Sequence, residues 1–510
     1  MDIGLVDTTV FVLFIAAVVG ISIYASRKED DHEDYFLAGR NLGWWVIGIS
    51  LITTCLSTEQ LVGMNGQAFG SVGLAVAAWA LLAAVAVVVI ALVFMPVFLR
   101  LGLYTMPEFL EHRFGRASRT VMAIYLMVLY VVALMATILY SGATALGALF
   151  GIDLTWGVWF IGLLAGGYTI FGGLKAVVWS DFIQGIALFL CGGLATWLGL
   201  RAVGGFDALA AAGRDKFHLI LPADNADLPW TTLVGGIWIP FFFYWGFNQF
   251  ITQRTLAARS LAVGQKGMML AAVLLVVSTL IIVLPGLMTA QLYPREVADK
   301  PDQAYAIFIK NIMPVGLRGI FLAAIFGAIM SSLDSLLNSA STIFTMDLYR
   351  NFIRPGASDR QLISVGRMAT AAFVVAGCIA APLLAQFESV FTYLQLTWGF
   401  ISPAIVAVFI VGLAVRRAPP LAGLIGLLAG PVTYGLLLYV FLPGVHYLHN
   451  MAITLGVVVT IMIAITVARP LPTGVVFEQK TEIDLTPSRG ARWCGAAVIM
   501  TVIGLYVVFR

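Results

Sequence analysis

Apolar residues run through this chain in unbroken stretches of about twenty or more, without the every-second-residue alternation of a half-buried strand. A run of that length crosses the hydrocarbon of a bilayer as one helix, which satisfies its own backbone hydrogen bonds. A membrane β-barrel would show alternating segments of roughly ten residues instead. The pattern predicts an all-α polytopic membrane protein with about fourteen transmembrane helices, near residues 4–25, 45–69, 73–98, 118–149, 154–172, 182–203, 231–256, 266–292, 316–347, 362–385, 388–414, 420–443, 449–468 and 491–508.

Lys and Arg concentrate in alternate short loops: Arg27, Lys28 and Arg40; Arg100, Arg113, Arg116 and Arg119; Arg254, Arg259 and Lys266; Arg350, Arg354 and Arg360; Arg416 and Arg417. Loops 70–72, 149–153 and 443–448 carry few or none, which places the basic loops in the cytoplasm and, with fourteen spans, both termini outside. The first span begins with Asp2 and Asp7 and has no small-residue cleavage site after it, so it reads as a retained helix, not a signal peptide.

Composition agrees, with 61% hydrophobic and 11% charged residues, which excludes an ordinary water-soluble globule. The net charge of +3 comes from the basic loops and implies contact with lipid headgroups, not nucleic acid. Cys55, Cys191, Cys378 and Cys494 show no CxxC or Cys/His spacing, so neither a disulfide framework nor a zinc site is expected. The segments 204–228, 294–315 and 469–490 are too short for independent cores. No GxxxxGK[ST] phosphate loop is present, which leaves an existing gradient as the energy source for any transport.

One span breaks the apolar rule. In Gly327–Tyr349, GAIMSSLDSLLNSASTIFTMDLY, nearly half of the residues are polar, and Ser331, Ser335, Asn338, Thr342 and Thr345 recur every three or four positions with Asp334 beside them. That spacing lines one helical face. Hydroxyl stripes also serve helix–helix packing, but a carboxylate at this depth costs at least about 2.5 kcal/mol and marks a pairing site or ion path. Hydroxyls and a carboxylate are the oxygen ligands a hard cation takes.

Two further spans carry breaks. In Ser50–Gly70 an apolar helix is interrupted by Thr53, Thr54, Ser57, Thr58, Glu59 and Gln60, and then by Gly63 and Gly66; in Gly235–Arg254, Pro240 and Gly246 break a helix carrying Asn248 and Gln249. Each opens a set of five spans, the signature of an inverted-repeat secondary transporter with its binding site at unwound helices.

The motifs STEQLVGM, YTMPEFLEHRFG, FGGLKAVVWSDFIQ, YWGFNQFITQRTLAA, GQKG, SSLDSLLNSASTIFTMDLY and GFISPAIVAVFIVGL, in this order, resemble the sodium/solute symporter family in its sodium/sugar cotransporter branch. The resemblance implies a LeuT-type 5+5 inverted-repeat core. The leading helix and loop would be 1–42, the first repeat 43–203, an extracellular loop 204–230, the second repeat 231–414 and accessory helices 415–510. It also implies Na+ as coupling ion, held in a main site by carbonyls near Thr53, Leu56 and Ala328 and by the hydroxyls of Ser331 and Ser332. A second cation site or exit path would use Asp181, Asp334 and Ser335. Asp334 stands where two-sodium members carry serine or threonine, so a proton is the alternative second cation there.

The same resemblance places Gln60, Phe241, Tyr244 and Gln395 at the solute and Met64, Trp79 and Phe391 at an outer gate. Ala80, Ala83, Phe241 and Leu275 replace polar groups that hold hexose in relatives, and each unpaired ligand hydroxyl costs about 1–3 kcal/mol. The solute expected is a small neutral one, a sugar or polyol; a carboxylate or amino acid driven by Na+ or H+ is the alternative.

No enzyme is expected. His32, His112, His218, His446 and His449 lie in loops or at span ends, and no carboxylate pair has acid–base spacing. A channel or a transporter-like sensor has no positive signal. Membrane lipid and the solute are the expected partners, with no nucleic acid and no obligate protein partner, in a cell membrane of the bacterial inner type.

Overall fold

The computed structural model describes residues 4–25, 31–57, 59–297, 301–386 and 390–510, and only the backbone of 25, 59, 148–150, 302 and 390–392. Apart from three isolated bridges, Leu42–Ala258, Leu221–Pro229 and Ser260–Asp484, the described residues are helical or irregular. Among the described residues, eleven helices are long and apolar enough to cross a membrane. A twelfth span forms if Trp44–Cys55 (α1) and Gln60–Phe69, bent by 67° across a short break, are taken together.

This is fewer than the fourteen expected, for two reasons. Leu154–Val203 (α2) counts once although it is two helices joined across a kink, 50 residues in all, and the expected spans 154–172 and 182–203 fall on its two arms. At about 1.5 Å per residue it is far longer than a bilayer is thick, and it turns at Gly173, whose φ of 46° and ψ of −147° are not helical. The expected span 231–256 is in pieces: Trp230–Val234, Trp238–Phe242, the wide turn Phe243–Phe247, and Gln249–Leu256 (α3). None is long enough to count.

Only glycine fits position 173. Its φ is left-handed, and an added Cβ would lie 2.3 Å from the Tyr35 carbonyl oxygen. Gly173→Ala is therefore expected to destabilise the fold by more than the ~1–3 kcal/mol of backbone strain alone, read as a lower Tm in detergent.

The polar stripe lies inside the protein. Leu317–Ile343 (α4) is buried at every position from Phe326 to Ile343 and packs along α2 and against α1. Burial of a serine- and asparagine-rich face against other helices replaces lipid with hydrogen-bonding partners. Peripheral helices differ: Pro420–Phe441, Tyr447–Ala468 and Arg489–Val508 turn most of their surface outward. Close approach positions α1 on α2, because a Cβ at Gly185 would lie 2.0 Å from Thr53 Oγ1.

Candidate cation and solute site

Helix α1 ends at Cys55. Leu56 leaves helical geometry at φ −78°, ψ 64°, and the Ser57 N–H donates to the Cys55 carbonyl at 2.8 Å, withdrawing the donor the Thr53 carbonyl would have in a continuous helix. The break therefore frees carbonyl oxygens in the interior. Across from it, Ser332 Oγ lies 3.0 Å from the Thr54 carbonyl oxygen and 3.1 Å from that of Ala328. Ser331 Oγ donates to Asp181 Oδ1 at 2.5 Å. The end of α1, the stripe of α4 and Asp181 of α2 thus meet at one point. The Ser50–Gly70 helix opens at Leu56–Ser57, while Gly63 and Gly66 stay helical.

Asp334 and Ser335 sit one turn along α4. Tyr168 of α2 donates its hydroxyl to Asp334 Oδ2, and Ser335 Oγ lies 3.3 Å from Asp334 Oδ1. Asp181, Asp334 and Ser335 are all buried.

The largest departure from expectation is Arg254. Assigned above to a basic loop, it lies on α3 with its side chain 1% exposed, inside the cluster. Its Nη2 lies 2.8 Å from Asp181 Oδ2 and 2.7 Å from Thr54 Oγ1 and also donates to Ser335 Oγ. Nε donates to Ser50 Oγ, and Nη1 to the Phe250 carbonyl at 2.5 Å. Charge counting along a chain takes Arg254 together with exposed Arg259. The signal against that assignment is its place six residues after Asn248, in an octet with no other charge. Ser50 and Tyr168 were missed as well, since neither stands out by spacing.

Asn248 is the real break of the second interrupted helix, at φ −94°, ψ 121°, whereas Pro240 lies inside a helical piece. Asn248 accepts from the Tyr130 hydroxyl. Gln249 Oε1 accepts from the Met106 N–H at 2.8 Å and its Nε2 donates to the Tyr104 carbonyl at 3.1 Å. Both amides hold the break in place and do not face solute.

Beside the cation cluster lies a cavity of about 130 Å³, below the roughly 300–1,000 Å³ of drug-sized sites. Thr54 and Ser332 border it, so the cavity adjoins the cluster. Gln60, Phe241, Tyr244 and Gln395 line it, as do Met64 and Trp79. The side chain of Phe391 lies outside the described residues. Ala80, Ala83 and Leu275 also form its wall. Trp79 meets Phe241 edge-on at 5.7 Å, and Tyr244 stacks on Trp398 at 5.3 Å. Among the described residues, no Lys, Arg, His, Asp or Glu lines this cavity.

A second buried network joins the far end of the stripe to residues 105–119. Asp347 Oδ1 lies 2.6 Å from Arg119 Nε and 2.8 Å from Thr105 Oγ1, and Arg119 Nη1 donates to Glu111. Arg113, also expected in a loop, is buried and donates to the carbonyls of Gly412, Val415 and Ala418 at 2.6–2.8 Å, closing the end of helix Val390–Ala414.

Broken helices facing a hydroxyl-and-carboxylate cluster, next to a small-molecule cavity, define a secondary active transporter. Residues 35–430 match the sodium:solute symporter family, and the chain belongs to that family. It is 37% identical over 454 residues to the sodium/glucose cotransporter of Vibrio parahaemolyticus, covering 83% of each chain. It is 33% identical over 465 residues to sodium/myo-inositol cotransporter 2 of Mus musculus, covering 83% of this chain and 68% of that one. Among solved structures, a Na+-coupled sialic acid symporter in a substrate-bound outward-open state superposes with a TM-score of 0.82 at 24% identity, covering 92% of this chain and 99% of that one. The fold is the LeuT type, the protein is a multi-pass membrane symporter and not an enzyme, and its coupling ion is Na+.

Proposed function

We propose that this symporter carries a small neutral solute of the sugar or polyol class inward with Na+. The observation that carries the reading is that the described residues lining the cavity carry no charge. A carboxylate or ammonium buried there without a partner would meet a large desolvation cost, whereas aromatic faces and the amides of Gln60 and Gln395 suit a ring with an apolar face and few hydroxyls. Relatives named for glucose and myo-inositol support the class.

Na+ binds between the carbonyls of Thr53, Leu56 and Ala328 and the hydroxyls of Ser331 and Ser332, tying the broken end of α1 to α4 and favouring the outward-open state. Solute then closes the outer gate at Met64, Trp79 and Phe391. Sodium leaves inward past Asp181, Asp334 and Ser335. A membrane potential of 100 mV contributes about 2.3 kcal/mol per charge, or roughly fiftyfold in accumulation. The two halves are 43–203 and 231–414, with 1–42 leading, 204–230 between them and 415–510 accessory; the basic loops face the cytoplasm and both ends lie outside, in a bacterial cell membrane.

Asp334 favours one second reading. It is buried, and hydroxyls of Tyr168 and Ser335 are its hydrogen-bond partners, so a proton on its carboxyl is a candidate second coupling cation.

The test is uptake into proteoliposomes of radiolabelled hexoses, deoxysugars, inositols, carboxylates and amino acids, with and without an inward Na+ gradient and at several pH values. Sodium-driven accumulation of a neutral polyhydroxylated solute is expected, weakened about 5- to 100-fold in apparent affinity by Gln60→Leu or Gln395→Leu. Accumulation of an acid or amino acid alone overturns the solute class. A pH dependence lost in Asp334→Asn would establish the proton.

A further inference from the structure

Resting on the reading of Gln395 and Phe241 as solute contacts, we propose that Tyr447 and His446 are positioning residues for the cavity, and that through His446 its affinity for solute falls in acid.

Two walls of the cavity are anchored at one junction. Gln395 Nε2 donates to the Tyr447 hydroxyl in a long hydrogen bond of 3.5 Å, and Tyr447 is the first residue of helix Tyr447–Ala468. Phe241 lies on Trp238–Phe242, and the Trp238 indole N–H donates to the Leu233 carbonyl at 2.9 Å, tying that helix to the segment before it. This segment meets the start of Tyr447–Ala468 so closely that a Cβ at Gly236 would lie 2.1 Å from the Leu448 carbonyl oxygen.

Two histidines hold the junction. His446 is the N-cap of the helix: its Nδ1 accepts from the Leu448 N–H at 3.3 Å, which leaves the ring proton on Nε2, 3.2 Å from the Asp227 carbonyl oxygen. His449 Nε2 lies 3.0 Å from Thr231 Oγ1. Only the neutral imidazole of His446 makes both of its contacts at once. A second proton turns Nδ1 into a donor aimed at an N–H and places a cation at a helix N-terminus, where the macrodipole opposes it.

The titratable groups facing His446 are Asp227, His449 and Tyr447. Burial holds the imidazole below the ordinary histidine range; the Asp227 carbonyl and carboxylate oppose this and His449 adds to it. The two contacts are therefore complete above about pH 6.5 and are lost as pH falls through the lower value of the folded chain. Without them the helix start and the 227–236 segment part, and Gln395 and Phe241 lose their common support. On the proposed topology this is the outer face, so acid outside weakens solute capture.

Hydrogen–deuterium exchange of the full chain, with saturating sodium, no solute and correction for the pH dependence of intrinsic exchange, reads the junction. Equilibrium binding of radiolabelled glucose and myo-inositol reads the cavity. Between about pH 7.5 and about pH 5, wild-type amides of 227–237 and 447–451 are expected to lose protection by about tenfold or more. Affinity for a probe that binds is expected to fall about 2- to 10-fold, as for one lost hydrogen bond. His446→Gln, whose amide offers an acceptor and a donor without titrating, is expected to make both readouts independent of pH. Tyr447→Phe is expected to lower affinity about 2- to 10-fold at neutral pH with protection at 227–237 retained. Asp334→Asn is expected to leave the pH change in exchange intact, which separates the junction from a coupling proton. Wild-type protection that does not change with pH overturns the proposal, as does a pH effect that persists in His446→Gln; unchanged affinity in Tyr447→Phe overturns the role of Tyr447. If His446→Gln does not fold, the wild-type exchange profile decides. If neither probe binds at either pH, the solute class fails, and exchange still decides the junction.

Discussion

Ser332→Ala is expected to raise the sodium concentration needed for half-maximal binding and uptake by about 10- to 100-fold, from loss of an oxygen–cation contact of ~1.5–3 kcal/mol. Ser332 is the residue where the ion's proposed surroundings converge, with its hydroxyl within 3.1 Å of carbonyl oxygens on both α1 and α4. Stability should change little, because alanine is the better helix former and the hydroxyl's hydrogen bonds go to backbone carbonyls, not to a charge. Binding of radiolabelled sodium and thermal unfolding in detergent, measured on the same preparation, separate the two effects. A variant that loses sodium affinity without losing Tm supports the assignment; unchanged sodium affinity would move the ion elsewhere.

Arg119→Met is expected to destabilise the protein by about 3–5 kcal/mol, the usual result of removing one partner from a buried ion pair. Asp347 is 0% exposed and would keep only the Thr105 hydroxyl of its two side-chain donors. The paired variant Arg119→Met/Asp347→Asn removes both charges and should recover most of the loss, although Glu111 then loses Arg119 as well and keeps exposed Arg116. Thermal unfolding of the three proteins measures this as a cycle. If the single and paired variants melt together, the pair is not what holds the end of the stripe to residues 105–119.

The membrane class, the polar stripe on Gly327–Tyr349 and the two interrupted spans were legible along the chain, because hydropathy and helical spacing are local properties. A run of apolar residues must be a buried helix wherever it ends up, and a carboxylate such as Asp334 is conspicuous in it. The motifs carried the family, and with it the expectation that Ser331, Ser332 and Asp181 lie near one another although about 150 residues separate Asp181 from the serines.

What the chain could not disclose is what depends on three helices meeting. Arg254 is one charge among several near a loop until α3 turns it inward, where Ser50, Thr54, Asp181 and Ser335 converge on it from α1, α2 and α4. The break of the second interrupted helix likewise fell at Asn248 and not at Pro240, because Tyr130 and the 104–106 backbone hold the amides there. Tyr168 has no distinguishing neighbour in sequence and becomes a partner of Asp334 only through the packing of α2 on α4. A charge's position along the chain sets which loop it sits near, but its depth and partners follow from helix packing, where desolvation makes an unpaired guanidinium or carboxylate too costly to leave alone.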